Sequence, residues 1–163
     1  MKKQKNESVF NKHGFTLMEL LVVISVIAIT AAVGFVALNP TQRLEDSRNA
    51  ARWTDVGAIV NAVKMDEVDN GGSFLTSVAD ATSSLNFVIG TASTGCDSGC
   101  GAITTQVSCV DLTGLVTEGY MGKIPVGPDT AAAATKTSYY LNKATTGLVT
   151  VGACASSTIS TTK

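Results

Sequence analysis

Glu19 is the single charged side chain in Phe15–Leu38, FTLMELLVVISVIAITAAVGFVAL, where 19 of 24 residues are apolar. A carboxylate costs roughly 2.5–3.5 kcal/mol at the centre of a bilayer on insertion scales, and less toward either end of the span. An acid kept in such surroundings is a functional candidate and needs a partner. No Lys or Arg lies within a helical turn of it inside the stretch. A free α-amine at Phe15 would be a suitable cation. In a continuous helix Phe15 and Glu19 are four residues apart and therefore neighbours. Between two packed copies, the amine of one could reach Glu19 of the other.

Other chemistries are poorly supplied. The only histidine is His13, so triads, His metal sites and imidazole proton shuttles are not expected once the N-terminus is removed. Asp66, Glu67 and Asp69 read as a solvated helix end rather than a cation site. Asp97 and Asp129 stand alone in loops and do not specify calcium. Gly95-x3-Gly99-x-Gly101 lacks the lysine of a phosphate loop. Twelve basic against thirteen acidic residues, net −1, argue against a nucleic-acid surface. The chain reads as a non-enzyme without cofactor or metal.

The element that carries Glu19 must be a helix of membrane length. Twenty-four residues at about 1.5 Å each give roughly 36 Å, against about 30 Å of hydrocarbon. The segment is apolar on every face, so it is not an amphipathic surface helix. A buried core helix is the alternative, but the remaining chain is too small to wrap it. Lys2, Lys3, Lys5 and Lys12 precede it against one Glu7, which places the N-terminus in the cytoplasm and residues after 38 outside. An ordinary secretory signal is the other alternative. Glu19 and the length of the apolar run weigh against it.

The lysine-rich leader, Gly14, and then Phe15-Thr16-Leu17-Met18-Glu19-Leu20-Leu21-Val22-Val23 resemble the processing motif of type IV prepilins and type II secretion pseudopilins. The resemblance implies cleavage between Gly14 and Phe15 by a membrane prepilin peptidase that also N-methylates Phe15. It implies that Glu19 neutralises the Phe15 amine of an adjacent subunit during filament assembly. It further implies a helical homo-oligomer, an assembly platform and a cytoplasmic motor ATPase as partners. The precursor would sit in the inner membrane and the product in an extracellular pilus or a periplasmic pseudopilus. Loss of the leader would leave eight basic and twelve acidic residues, net −4.

Beyond the span, Asn39-Pro40 should kink the helix and Gly34 weaken it. Ala50, Trp53, Val56, Val60 and Val63 form one apolar stripe, with Arg48, Arg52, Asp55 and Lys64 on other faces. Trp53 reads as core. Asn70-Gly71-Gly72 is a stop signal. Residues 73–110 read as a loop with a short helix near 75–85 and a strand near 87–89. Asp111 should cap a short helix with Leu112, Leu115 and Val116 inward, and residues 124–129 form a rigid turn. SYYLNK and GLVTVGACA read as an antiparallel hairpin. Serine and threonine richness over 130–163 reads as a polar surface, also compatible with O-linked glycans. The expected fold is α+β and type IV pilin-like, a long N-terminal helix on a small antiparallel sheet. Its segments are a leader (1–14), a transmembrane and filament-core helix (15–38), an amphipathic continuation (39–71) and a head (72–163).

Cys96, Cys100, Cys109 and Cys154 fall on the exported side, where an even count favours two disulfides in one of three pairings. The expected pairs are Cys96–Cys100 and Cys109–Cys154. A four-Cys zinc site is the rival, but C-x3-C-x8-C is not a paired CxxC pattern. The functional expectation is a type IV pilus subunit, for adhesion, motility or DNA uptake. Alternatives are a pseudopilin or a membrane-anchored or secreted binding domain.

Overall fold

The computed structural model describes residues 14–163; the first thirteen residues of the leader, with its four lysines, lie outside the described residues. Two compact units divide between Arg43 and Leu44.

The first unit holds helix α1, Leu17–Leu38. No residue of α1 is buried, as expected of a helix without an amphipathic face. It runs through Gly34 without interruption. The kink expected at Pro40 takes another form. Asn39 adopts a left-handed conformation at φ 40° and ends α1, and Pro40 is the first residue of α2, Pro40–Asp69. Proline at that position loses no bond, because the first N–H groups of a helix have no partner anyway.

In the second unit the remainder of α2 packs on a four-stranded antiparallel sheet in the order β1 (Asn86–Val88), β2 (Tyr139–Lys143), β3 (Val149–Ala153), β4 (Ser156–Thr162). This is the pilin-like α+β arrangement. The expected hairpin is β2–β3, with Leu141 opposite Val151. Strand β4 was expected only as polar surface. Its Thr158, Ile159, Thr161 and Thr162 are β-branched, and Ile159 is buried in the core.

Alternation along the strands gives the sheet two covered faces. Tyr139, Leu141, Phe87, Ile89 and Val151 pack with Val56, Ile59, Val60 and Val63 of α2. Val88 and Tyr140 point the other way, against Cys96, Cys100 and Cys154. Gly152 lies opposite Tyr140 in register, and a Cβ there would sit 2.6 Å from the tyrosine ring. The aromatic ring therefore lies over a position that only glycine can occupy.

The stripe on α2 keeps Val56, Val60 and Val63 of the expected one and loses its N-terminal pair, Ala50 and Trp53. Its buried residues are Arg52, Val56, Ile59, Val60, Ala62, Val63 and Asp66, while Ala50 is exposed and Trp53 is 47% exposed. Two charges close the stripe because each has a partner. Arg52 donates to Asp129 Oδ1 and Asn49 Oδ1, each at 2.7 Å. Asp66 accepts from Asn70 Nδ2 and from the Leu75 N–H, each at 2.7 Å. Asp66 is thus a buried loop organiser rather than a solvated helix end, and Asp129 is a salt-bridge partner. The stop signal is realised as a Schellman turn: Gly72 N–H donates to Glu67 O at 2.7 Å and Gly71 N–H to Val68 O at 3.3 Å, with Gly71 at φ 65°.

Between the helices and strands, α3 spans Thr76–Ala79 and α4 spans Thr113–Thr117. Asp111 Oδ1 accepts the Thr113 N–H at 2.8 Å, and Leu112 and Leu115 are buried while Val116 is half-buried. The disulfides are Cys96–Cys109 and Cys100–Cys154, which corrects the expected pairing and removes the thiols a zinc site needs. Cys96 N–H donates to Val107 O at 2.9 Å, so the loop folds back and sets Cys96 beside Cys109. Cys100 meets Cys154 just past β3, over Tyr140.

Tyr139 is fully buried, and its hydroxyl donates to Asp55 Oδ2 at 2.6 Å. Burial first, then that hydrogen bond, raises its pKa well above the ordinary 10. A folded-state pKa above the unfolded one contributes stability below pH 10 that is lost as pH climbs through the folded value. Thermal melts of wild type and Tyr139→Phe should therefore keep a constant gap from pH 8 to 9.5 or so and then diverge from it above about pH 10, with wild type losing more. Parallel curves up to pH 11 would contradict this assignment.

Candidate functional site

The site is the start of α1. Thr16 is its N-cap, extended at φ −79°, ψ 152°, and its hydroxyl accepts the Glu19 N–H at 3.2 Å. Thr16-x-x-Glu19 is the spacing of a capping box, a signal in the sequence that the reading above did not use. The hydroxyl fixes the first turn, and Glu19 sits within it, where the unpaired N–H groups and the helix dipole favour negative charge.

The first turn also corrects one expectation. Helix starts at Leu17, so Phe15 lies outside it and the one-turn adjacency of Phe15 and Glu19 within a chain does not apply. Phe15 is 81% exposed. Its amine, once freed, would stand ahead of the helix rather than along its side, which leaves pairing between copies as the reading of the two groups.

The other polar side chains of α1 look after themselves. Ser25 Oγ donates to Leu21 O at 2.7 Å. Thr30 Oγ1 lies 3.0 Å from both Val26 O and Ile27 O. Hydroxyls that bond back to their own helix can enter hydrocarbon without an unmet donor. Among the described residues, the Glu19 carboxylate makes no side-chain hydrogen bond or ion pair in its own chain. It is the one group on α1 whose needs are left for something else to meet.

The helix from Leu17 onward has an 18-residue window with mean hydropathy 2.8, long and apolar enough to cross a membrane. Residues 9–35 match the prokaryotic N-terminal methylation motif. The chain carries a class III prepilin signal. That signal, shared by type IV pilins and pseudopilins, covers Gly14, Phe15 and Glu19 together with most of α1, and with the apolar helix it implies processing by prepilin peptidase and a membrane-anchored precursor. The match ends at Phe35 and includes none of the head. Comparison with curated proteins found no match, and comparison with solved structures found none either. The pilin-like character of the head therefore rests on its own geometry, a helix laid on a small antiparallel sheet. Among the described residues, no three His, Cys, Asp or Glu side chains gather in a way that could hold a metal ion.

Proposed function

We propose that this prepilin is a structural rather than catalytic protein, a subunit of a type IV pilus. In this reading the leader faces the cytoplasm and the head is exported. Prepilin peptidase cuts after Gly14 and methylates the new Phe15 amine. An assembly platform driven by a motor ATPase then moves subunits from bilayer to filament. The observation that supports it is Glu19, which has no side-chain partner among the described residues, on a helix that is otherwise apolar and self-satisfied. Such a helix belongs in lipid or in a bundle of its own kind, and an open head-to-tail array of identical chains is a fibre. Subunits drawn from lipid gain little from apolar burial, because lipid is already apolar, so an external motor is expected. Two disulfides suit a head that works in an oxidising space.

Mass spectrometry of the mature protein tests the reading. It should begin at N-methyl-Phe15; an intact leader, or a start beyond residue 30, would contradict it. Gly14→Leu should block processing, because a branched side chain enters the extended stretch that the peptidase must grip. The mutant should accumulate at full length on immunoblots, and mature-length protein would count against the assigned bond. Copy number and filament length distinguish an abundant pilus subunit from a short pseudopilus.

A further inference from the structure

The cysteines leave the membrane in the order Cys96, Cys100, Cys109, Cys154, yet the bonds interleave, 96 with 109 and 100 with 154. The native partner of Cys100 lies 54 residues further on, while Cys96 is four residues away. Closing the shorter loop in place of the 13-residue native one is favoured roughly sixfold by chain statistics alone. The intervening Asp97-Ser98-Gly99 already turns the chain back on itself. Gly99 N–H donates to Cys96 O at 3.1 Å, and Ser98 Oγ donates to Gly95 O at 3.1 Å. At about 5–20 residues per second, Cys154 follows Cys100 by roughly 3–11 s, time enough for an oxidant to act.

We propose that the head reaches its native bonds by way of a mispaired Cys96–Cys100 species, and that the chain is therefore a substrate of a thiol–disulfide isomerase outside the membrane. This rests on the reading that the head is exported. First, the Cys96 and Cys100 thiols lose two protons and pass two electrons to the disulfide of a thiol oxidase, which becomes a dithiol. An isomerase thiolate then attacks the Cys96 sulfur and expels the Cys100 thiolate. The Cys109 thiolate attacks Cys96 in this mixed disulfide and releases the isomerase unchanged. A second oxidase disulfide joins Cys100 to Cys154. The rescue must come early. In the finished head Cys96 is fully buried and Cys100 nearly so, beneath Val88 and Tyr140. A wrong bond sealed there is out of reach of the isomerase.

The test uses the full chain in detergent, reduced and unfolded in guanidinium, then returned to native conditions with a thiol oxidase alone or with oxidase plus isomerase. Free thiols are blocked at intervals and bonds are mapped by peptide mass spectrometry. With oxidase alone, Cys96–Cys100 should predominate early, and isomerase should raise the native fraction by about the sixfold closure preference. The double variants Cys96→Ser with Cys109→Ser, and Cys100→Ser with Cys154→Ser, can form one bond only and should gain nothing. Equal native fractions with and without isomerase, or no Cys96–Cys100 species, would overturn the proposal. In cells with and without the isomerase, native bonds formed equally would overturn the proposal alone. Four free thiols would overturn the export reading and the proposal with it.

Discussion

A Glu19→Val chain is expected to be inserted and cut like wild type and to form no filaments. Valine fits the apolar helix and removes a carboxylate that costs free energy in lipid, so the precursor suffers nothing. The loss falls on the assembled state. There the charged Phe15 amine of the next subunit would enter an apolar bundle with no counter-ion. Breaking one partner of a buried pair costs about 3–5 kcal/mol, or roughly a hundredfold to several thousandfold in affinity per added subunit. Thr16 remains to cap the helix, so the effect belongs to the charge and not to the fold of α1. Immunoblots for the mature form and negative-stain microscopy of the same cells make the check. Normal filaments in the variant would contradict the pairing.

The head's largest single dependence is on Cys100–Cys154. It closes 54 residues, and the chain-entropy account gives about 4 kcal/mol for a loop of that length against about 3 for the 13-residue loop of Cys96–Cys109. It also ties the loop of residues 90–110 across the second face of the sheet, where Val88 and Tyr140 would otherwise meet water. Against the 5–15 kcal/mol that holds an ordinary domain, replacing both cysteines with serine should lower the melting temperature by roughly 15 °C, as calorimetry of the purified protein would show. The Cys96→Ser, Cys109→Ser protein should fall less. Equal losses, or a change of only a few degrees, would mean that neither bond constrains the unfolded chain as supposed.

The helical half was legible because its signals are local. A run of apolar residues, Asn39-Pro40 and Asn70-Gly71-Gly72 mark starts and stops within a few positions, and the spacing of Gly14, Phe15 and Glu19 carries the site. Reading failed where a partner far along the chain decides. Arg52 and Asp66 were assigned to solvent, since charge is normally exposed; Asp129 and the Leu75 N–H, distant in sequence, make their burial affordable. Trp53 lost its expected place in the core to Arg52 and Ile59, which flank Val56 on the buried face. Strand β4 looked like a polar tail, because serine and threonine are common in both; what makes it a strand is pairing with β3. The cysteine pairs followed the same rule, set by the hydrogen bond from Cys96 to Val107 and by the arrival of Cys154 beside Tyr140 rather than by proximity along the chain.

A density map of the purified polymer, at a resolution that shows side chains, addresses the central relation directly. The expected result is the methylated nitrogen of Phe15 in one subunit within about 4 Å of the Glu19 carboxylate in its neighbour, the range of an ion pair. A map in which that carboxylate faces only apolar side chains, or a protein that never polymerises, would contradict it.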